Sequence, residues 1–451
     1  MRFPIGPAAS EAGRSHDREI WRLAVPAFLA LVAEPLFLVA DSAIVGHLGT
    51  THLAGLGIAG VVLQTVVGLC VFLAYGTTAS VARRVGAQDL RGAIAQGVDG
   101  LWLAVGIGVL VTLPCVAFAR PLVAAVGAEA AVGDHATTYL RIAALGITPL
   151  LLMLAATGVL RGLQDTRTPL VVAVLANVLN VVLNLLLVYG LDLGIAGSAM
   201  GSVLAQWLAA GALVGVVVRG ARRHGASLRP DLPGIRQAGR AAVPLVVRTL
   251  TLRAALLVTT YAVTLIALDG SDRQATDLAA HQVAFTLWTF LAFVLDAIAI
   301  AAQAITGRTL GAGDAAGTRA VTARMVWWGV VAGVVTGLLL ASASPFLGAI
   351  FTEDPAVRDL LVPVLLVAAL GQPVCGVVFV LDGVLIGAGD GRYLAWGGIV
   401  TLLVYTPVVL LLHPSLVVVW IAFSAVFMGA RLVVLVRRAR SDAWLVLGAP
   451  A

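Results

Sequence analysis

The chain has 451 residues, of which 60% are hydrophobic and only 12% are charged. Soluble domains carry about 25% charged residues, so this composition excludes a soluble globular protein and indicates a protein that crosses a membrane several times. All 29 basic residues are arginines, and they lie between hydrophobic runs, where topology signals lie, rather than in a patch that would bind nucleic acid.

Twelve apolar runs follow one another along the chain, and each is long enough to cross a bilayer as a helix of about 20 residues. Their predicted limits are 20–46, 53–80, 94–119, 136–160, 168–189, 194–218, 241–268, 277–306, 325–351, 358–387, 393–412 and 414–436. The first run is too long for the apolar region of a signal peptide and lacks a cleavage pattern, so we expect it to be an uncleaved first span. The sequence therefore predicts an all-α integral membrane protein.

The arginines alternate between the two sides of this arrangement. Twenty-two lie in segments on the same side as the N-terminus, and three, Arg120, Arg273 and Arg358, lie in segments on the other side. Because arginine-rich loops stay in the cytoplasm, the pattern predicts an even number of spans and two cytoplasmic termini. We expect a multi-pass protein of the cell membrane.

The two halves of the chain resemble each other at one fixed offset, the one that separates Arg83 from Arg308. The matching residues of the first half are Arg83, Gly86, Ala87, Asp89, Gly158, Gly162, Asp165 and Arg167, and those of the second are Arg308, Gly311, Ala312, Asp314, Gly383, Gly387, Asp390 and Arg392. Six spans in each half place both halves in the same orientation. The sequence therefore predicts two parallel six-helix lobes, 1–225 and 226–451, joined by the arginine-rich stretch 219–240.

The first run carries two carboxylates, Glu34 and Asp41, and two prolines, Pro26 and Pro35. A charge at membrane depth costs at least about 2.5–3.5 kcal/mol. So apolar a chain does not need charged side chains to pack its helices. Seven residues are two helical turns, so both carboxylates lie on nearly one face. Pro35 lies between them and is expected to kink or open the helix. These features predict a proton- or cation-binding group.

Polar groups in other runs allow two interpretations. Asn177, Asn180 and Asn184 form one stripe of the fifth run, either as interhelical hydrogen bonds or as a polar cavity wall facing Asp41. Asp296, deep in the eighth run, is equally open between a functional and a structural role.

Near the ends of their runs, Asp99 is expected to face the interface or pair with an arginine, Asp382 to cap a helix or pair locally, and Arg431 to extend toward the interface. In the ninth run, Gly329, Gly333 and Gly337 form a small-residue stripe that predicts close helix packing.

Sequence motifs of enzymes are absent: there is no metalloprotease, nucleophile-elbow, P-loop or dinucleotide-binding pattern. His47 and His52 lie in the first outer loop without a third ligand, so a metal site is not expected. Without an ATP-binding domain, active transport must draw on an ion gradient. A gated channel and a membrane scaffold are the alternatives to a transporter.

Five stretches resemble the multidrug and toxic compound extrusion (MATE) transporters, and most closely their DinF-like branch. They are Pro35–Gly49, Gly158–Leu170, Val246–Arg253, Phe293–Asp314 and Phe379–Leu394. The resemblance implies two bundles arranged in a V and an antiporter, expected to be a monomer without a cofactor. It would export amphipathic, often cationic small molecules in exchange for protons or sodium by alternating access. A flippase for a lipid-linked precursor, from the same superfamily, is the alternative.

The resemblance also implies roles for individual residues. Asp41 matches the coupling carboxylate, and the polar lining around it comprises Tyr139, Asn177, Asn180, Asn184 and Ser202. Relatives carry a second carboxylate at the position of Asn184, and its absence favours protons over sodium. Glu34 is considered as its replacement. The polar groups expected in the C-terminal lobe are Arg248, Arg253 and Asp296.

Overall fold

The computed structural model of the protein describes residues 11–127, 130–266 and 273–448, and these ranges contain helices and no β-strand. Within these ranges, twelve segments are long and apolar enough to cross a membrane, which confirms all twelve predicted spans. Spans 1–12 are Ser15–Gly46, Thr50–Gly86, Leu90–Ala117, Val132–Gly162, Arg167–Gly190, Gly194–Arg223, Leu232–Ile266, Ala275–Gly311, Ala315–Phe351, Pro355–Gly387, Gly391–Leu411 and Leu416–Arg440.

Several spans depart locally from the α-helix. Span 2 consists of the helices Thr50–Leu69 and Phe72–Gly86. Span 4 lies within the helices Ala130–Ala143 and Ile147–Gly162, which are joined by the 3₁₀ turn Ala144–Gly146. Spans 5 and 12 contain π-helical turns at Leu186–Gly190 and Ala422–Phe427. Such π-turns often mark functional sites, and the first of them directly follows the asparagine stripe.

The helix that contains span 1 runs from Glu11 to Gly46 without a break at Pro26 or Pro35. The helix is therefore not opened at Pro35, and a kink at this residue stays a prediction. A proline inside a helix still removes one backbone hydrogen bond. The helix stays continuous because the turns on either side of each proline keep their hydrogen bonds.

The internal repeat is visible in the packing of each half. A Cβ atom on Gly158 would lie 2.6 Å from the carbonyl oxygen of Ala74, and one on Gly383 would lie 2.4 Å from that of Ala299. Both members of the second contact follow those of the first by the offset of the sequence repeat. In each half, only glycine lets the two backbones approach this closely. The structure thus confirms the repeat that the sequence predicts.

Helix caps repeat in the same way. Asp89 accepts a hydrogen bond from the backbone N–H of Gly92 over 2.8 Å, and Asp314 accepts one from that of Gly317 over 2.7 Å. Each carboxylate satisfies a backbone donor at a helix N-terminus that has no partner within the helix. The Gly92 bond, together with Arg84, lowers the pKa of Asp89 below its usual value.

Tight packing of span 9 against span 10 follows from the predicted glycine stripe. Cβ atoms on Gly329, Gly333 and Gly337 would lie 2.4–2.6 Å from backbone oxygens of span 10. No side chain fits at such distances, so the close approach of the two helices requires glycine at these positions. This prediction is confirmed.

The chain forms two compact units. The first unit is Pro26–Ala242, and the second unit joins residues up to Val25 to Val243–Leu447. These divisions do not coincide with the predicted lobes, 1–225 and 226–451, which describe the sequence repeat and stay a prediction. Each unit is described separately below.

Ionic contacts explain why the start of span 1 belongs to the second unit. Asp17 accepts hydrogen bonds from Nε and Nη2 of Arg324, over 2.6 and 2.7 Å, and from Nε1 of Trp328 over 2.7 Å. Glu19 pairs with Arg308 over 2.7 Å. Fork-shaped arginine–carboxylate pairs are among the stronger polar contacts in proteins, and here they hold the first turns of the helix against spans 8 and 9.

The linker between spans 6 and 7 is shorter than the arginine-rich stretch 219–240, because helix continues to Arg223 and resumes at Leu232. Asp99 accepts a hydrogen bond from the backbone N–H of Asp231 over 3.3 Å, and Trp102 donates one to the carbonyl of Leu228 over 3.1 Å. Asp99 therefore has a structural contact, although its partner is the backbone of the linker rather than an arginine.

Candidate functional site

Among the described residues of the first unit, the most enclosed carboxylate is that of Asp41, which is only 2% exposed. Its Oδ1 atom accepts hydrogen bonds from Nδ2 of Asn184 and from Oγ of Ser198, each over 2.7 Å. Its Oδ2 atom accepts a hydrogen bond from the hydroxyl of Tyr139 over 2.9 Å. Four spans, 1, 4, 5 and 6, therefore converge on one carboxyl group.

A second layer of polar groups supports these donors. Asn180 donates to Oγ of Ser202 over 3.0 Å, and its Oδ1 lies 3.5 Å from Nδ2 of Asn184, at the outer limit of a hydrogen bond. Asn180 and Asn184 are fully buried. The side-chain oxygen of Asn184 is buried without a hydrogen-bond partner among the described residues, which leaves one unused acceptor beside the carboxylate.

Electrostatically, the Asp41 site holds one acidic group and only neutral partners. No arginine or histidine among the described residues forms an ion pair with Asp41. Tyrosine, serine and asparagine donors can satisfy a carboxylate without neutralising its charge. Within the described part of the chain, no group of three or more His, Cys, Asp or Glu side chains is arranged to hold a metal ion.

Other residues predicted for this site lie at its edge. Asn177 donates to the backbone carbonyl of Ala33 over 2.7 Å rather than to Asp41. Glu34 is exposed and forms no hydrogen bond or ion pair with a described residue. Seven residues separate Glu34 from Asp41, which is a rise of about 10 Å along a helix. Sharing a face is therefore not enough to bring the two carboxylates together.

The second unit carries a separate group of charges. Asp382, in span 10, is 5% exposed and binds Arg248 of span 7 with Oδ2 and Arg431 of span 12 with Oδ1, the latter over 3.4 Å. Asp296 of span 8 interacts electrostatically with Arg431. Arg431 thus does not extend toward the interface as expected, because a buried carboxylate lies within its reach.

Of the three polar residues predicted for the C-terminal lobe, the structure connects Arg248 and Asp296 to this group of charges. Arg253 is exposed and pairs with none of the described residues. Five residues after Arg248, it lies on a different face of span 7. Two arginines and two aspartates form the group, so its formal charge is balanced.

Sequence reasoning missed Ser198, although the serine donates one of the shortest bonds to Asp41. Ser198 precedes the predicted Ser202 by four residues, which places both on one face of span 6. That spacing is the signal that points to it. Tyr189, in the π-helical turn of span 5, was also missed, and its hydroxyl donates to the carbonyl of Ile44 over 2.6 Å.

Comparisons with known proteins agree with this architecture. The MatE family profile matches residues 26–186 and 251–411, and the second match follows the first by the offset of the sequence repeat. The chain is 31% identical over 432 residues to Protein DETOXIFICATION 44, chloroplastic, of Arabidopsis thaliana, covering 92% of this chain and 80% of that protein. It is 30% identical over 382 residues to DNA damage-inducible protein F of Escherichia coli, covering 83% and 80%.

Solved structures show the same fold. The outward-facing conformation of a multidrug resistance MATE family transporter of the MOP superfamily matches with a TM-score of 0.85 at 21% identity, over 95% of this chain and 96% of that one. The Vibrio cholerae MATE transporter VcmN in its bent form matches with a TM-score of 0.85 at 19% identity, over 96% and 100%. The chain therefore belongs to the MatE family, whose members are multi-pass membrane transporters rather than enzymes.

Proposed function

We propose that this protein is an antiporter that exports amphipathic, cationic small molecules in exchange for protons, and that Asp41 carries the proton. The observation that carries the proposal is the enclosed carboxyl group of Asp41, which has three neutral hydrogen-bond donors and no cation beside it among the described residues. Multidrug efflux is the activity of the family. The identity of the coupling ion and the charge of the substrate are the proposed parts.

A lone carboxyl group at membrane depth suits the exchange of a proton for a cation. An uncompensated charge in this environment is costly, so a carboxylate is stabilised when it binds either a proton or a cationic substrate. Once one of them has neutralised the carboxylate, the other is no longer attracted to it. A proton entering from outside would therefore displace a cationic substrate, and its loss to the inside would restore the binding site.

Protons are favoured over sodium because of the residue beside Asp41. Sodium, like other hard cations, is held by several oxygen ligands. Asn184 places a neutral amide beside Oδ1, to which its Nδ2 donates a hydrogen bond over 2.7 Å, so Asp41 is the single carboxylate among the described residues of this cluster that could balance the charge of a bound cation. A proton gradient of one pH unit is worth about 1.4 kcal/mol, which can concentrate an exchanged monovalent cation about tenfold.

The distribution of arginines supports an orientation in the membrane. We propose that the ends of the spans rich in arginine face the cytoplasm, that both termini lie there, and that the protein acts as a monomer in the cell membrane. The orientation follows from the arginine count of the loops, 22 against three.

A flippase for an anionic lipid-linked precursor is the second candidate. Such a substrate requires cations that are not neutralised within the protein. In the second unit, Arg248 and Arg431 both bind Asp382, and Arg253 of span 7 is exposed. A balanced group of charges supports this function less well than the Asp41 site supports cation export.

The test is dye efflux from proteoliposomes loaded with a fluorescent organic cation, driven by a proton gradient or by a sodium gradient in separate experiments. Asp41→Asn keeps the size of the side chain and removes the titratable proton. Glu34→Gln is the matched control, because it changes a carboxylate of the same helix that has no partner among the described residues.

Proton-driven efflux that is lost in D41N and kept in E34Q is the expected result. Efflux driven only by sodium would exclude the proton scheme. Equal efflux from wild type and D41N would remove Asp41 from the coupling mechanism, and flux with neither gradient would indicate a channel.

A further inference from the structure

A groove of about 410 Å³ opens between the arginine-rich ends of spans 3, 4 and 6, in the first unit and away from Asp41. Its walls are apolar, and they are formed by Ile94, Val159, Leu160, Leu163, Val216 and Val217. Its rim carries Arg219, Arg223 and Asp165. The volume is in the range of binding sites for small molecules, about 300–1,000 Å³.

The two rim arginines have no acidic partner in the part of the chain that the structure describes. Arg219 donates from Nε to the carbonyl of Gly215 over 3.2 Å, within its own helix, and forms no ion pair with a described residue. Arg223 likewise pairs with no described carboxylate. Both side chains are exposed. An apolar groove with two such cations at its mouth complements a molecule with an anionic head and an apolar tail.

Asp165, the carboxylate of the rim, does not neutralise these arginines. It accepts hydrogen bonds from the backbone N–H groups of Arg167 and Thr168, over 3.1 and 3.0 Å, and from the hydroxyl of Thr168 over 2.5 Å. The carboxylate therefore caps the N-terminus of span 5, where the helix dipole stabilises its negative charge.

In the second unit, the end that corresponds to the groove by the sequence repeat is covered by residues that follow span 12. Asp390, which corresponds to Asp165 in the repeat, pairs with Arg438 over 2.6 Å. Beyond span 12, Asp442 pairs with Arg319 of span 9 over 2.6 Å, and the Trp444 side chain is only 2% exposed. The segment after span 12 thus supplies an apolar side chain, that of Trp444, and a negative charge, that of Asp442, at this end. In the first unit, the corresponding end has the open groove instead, and its two rim arginines have no carboxylate partner among the described residues.

We propose that this groove binds an anionic phospholipid of the leaflet on the arginine-rich side, with the phosphate on Arg219 and Arg223 and an acyl chain along the wall of Ile94 and Val216. Basic pockets between transmembrane helices are suited to anionic headgroups, and each arginine near an anionic membrane surface is worth about 1 kcal/mol. The groove lies at the depth of the headgroups, because the arginines are at the ends of the spans.

The experiment measures phospholipid retained by the purified full-length protein, using native mass spectrometry after exchange into detergent containing phosphatidylglycerol or phosphatidylcholine. The double variant R219Q/R223Q is compared with Arg222→Gln. Arg222 lies on the same last turn of span 6 and does not line the groove, so it is a control for the general positive charge of this face.

Wild type is expected to retain phosphatidylglycerol in preference to phosphatidylcholine. R219Q/R223Q is expected to weaken phosphatidylglycerol binding roughly 30-fold, and R222Q to change it less than threefold. Equal retention of the two lipids by wild type would overturn the proposal, since a groove without charge selectivity is an ordinary lipid contact. Equal losses in R222Q and the double variant would overturn it too, because the diffuse charge of the face would then suffice.

Val216→Trp provides a test that leaves every charge in place. The new indole is expected to fill the groove, in the way that Trp444 is buried in the second unit. It should reduce phosphatidylglycerol retention at least tenfold. This variant decides the question if R219Q/R223Q does not yield folded protein. Unchanged retention in V216W would show that the lipid binds elsewhere, and the proposal would fall.

Discussion

Nδ2 of Asn184 lies 2.7 Å from Oδ1 of Asp41 and donates a neutral hydrogen bond to it. The contact joins span 5 to span 1 and makes Asp41 the single carboxylate of its cluster. A second carboxylate at this position would change both the charge of the site and the ions it can hold. The choice between asparagine and aspartate at position 184 is therefore central to the proposed coupling.

Replacing Asn184 by Asp is expected to make efflux respond to sodium. Two carboxylates in contact cannot both ionise readily, so the pair would keep a proton or hold a cation. The pH of half-maximal proton-driven efflux should rise by about 1 unit or more, and a sodium gradient should begin to drive dye efflux in proteoliposomes. Asn177→Asp is the control, because Asn177 contacts the backbone of span 1 and not Asp41. A sodium response in N177D alone would contradict this account.

Tyr139→Phe removes one donor from the Asp41 carboxylate and keeps the ring. A neutral hydrogen bond to a charged acceptor contributes about 1.5–3 kcal/mol, and its loss disfavours the ionised form. Efflux should then need a higher internal pH, by about one to two units, to reach half its maximal rate. The measurement is initial dye efflux against internal pH. Tyr189→Phe, which loses only a bond to a backbone carbonyl, should leave the profile in place.

Asp382→Asn is expected to destabilise the protein strongly. Removing one partner of a buried ion pair costs about 3–5 kcal/mol, because the opposite charge remains without compensation. Here both Arg248 and Arg431 lose the carboxylate of Asp382, and Asp296 remains as an electrostatic partner of Arg431. Thermal unfolding in detergent should show the loss, whereas Arg253→Gln, at an exposed position of span 7, should change stability by less than about 0.5 kcal/mol. Similar melting temperatures for the two variants would argue against a structural role for Asp382.

Asp17→Ala tests the attachment of the first helical turns to the second unit. The variant loses three hydrogen bonds, two from Arg324 and one from Trp328. We expect unfolding to become easier by about 1.5–3 kcal/mol, and the first turns to become more accessible to protease. Arg18→Ala, at the exposed neighbouring position, should behave like wild type. Equal protease resistance of D17A and wild type would show that other contacts hold this segment.

Gly333→Ala is expected to disturb the packing of spans 9 and 10. Its new Cβ would lie 2.4 Å from the carbonyl oxygen of Gln372, and overpacking of this kind typically costs about 1–3 kcal/mol. Gly215→Ala, where a Cβ meets no atom within 4 Å, should leave the melting temperature unchanged or raise it slightly, since alanine favours helix. If G333A and G215A had the same melting temperature, the glycine stripe would not be needed for packing.

Prediction from the sequence succeeded where the cause is local or periodic. Glycine spacing in span 9 predicts a close helix contact whatever the partner, and the structure supplies span 10 as that partner. The separation of Glu34 and Asp41 shows the limit of the same reasoning, because helical spacing places both on one face but only neighbouring spans decide which one is enclosed. The role of Ser198 depends in the same way on the approach of span 6 to span 1.

The sequence by itself determined the twelve spans and the internal repeat. The reason is that crossing a bilayer demands a fixed length of apolar helix, and duplicated segments keep their glycines and caps. Only the tertiary structure decided which polar side chains meet: Asp41 with Ser198, and Asp382 with Arg431. The members of each pair belong to different spans that are far apart in the chain. Their contact depends on how the helices pack, because an unpaired polar group inside a membrane protein is costly and each must find its partner across a helix interface.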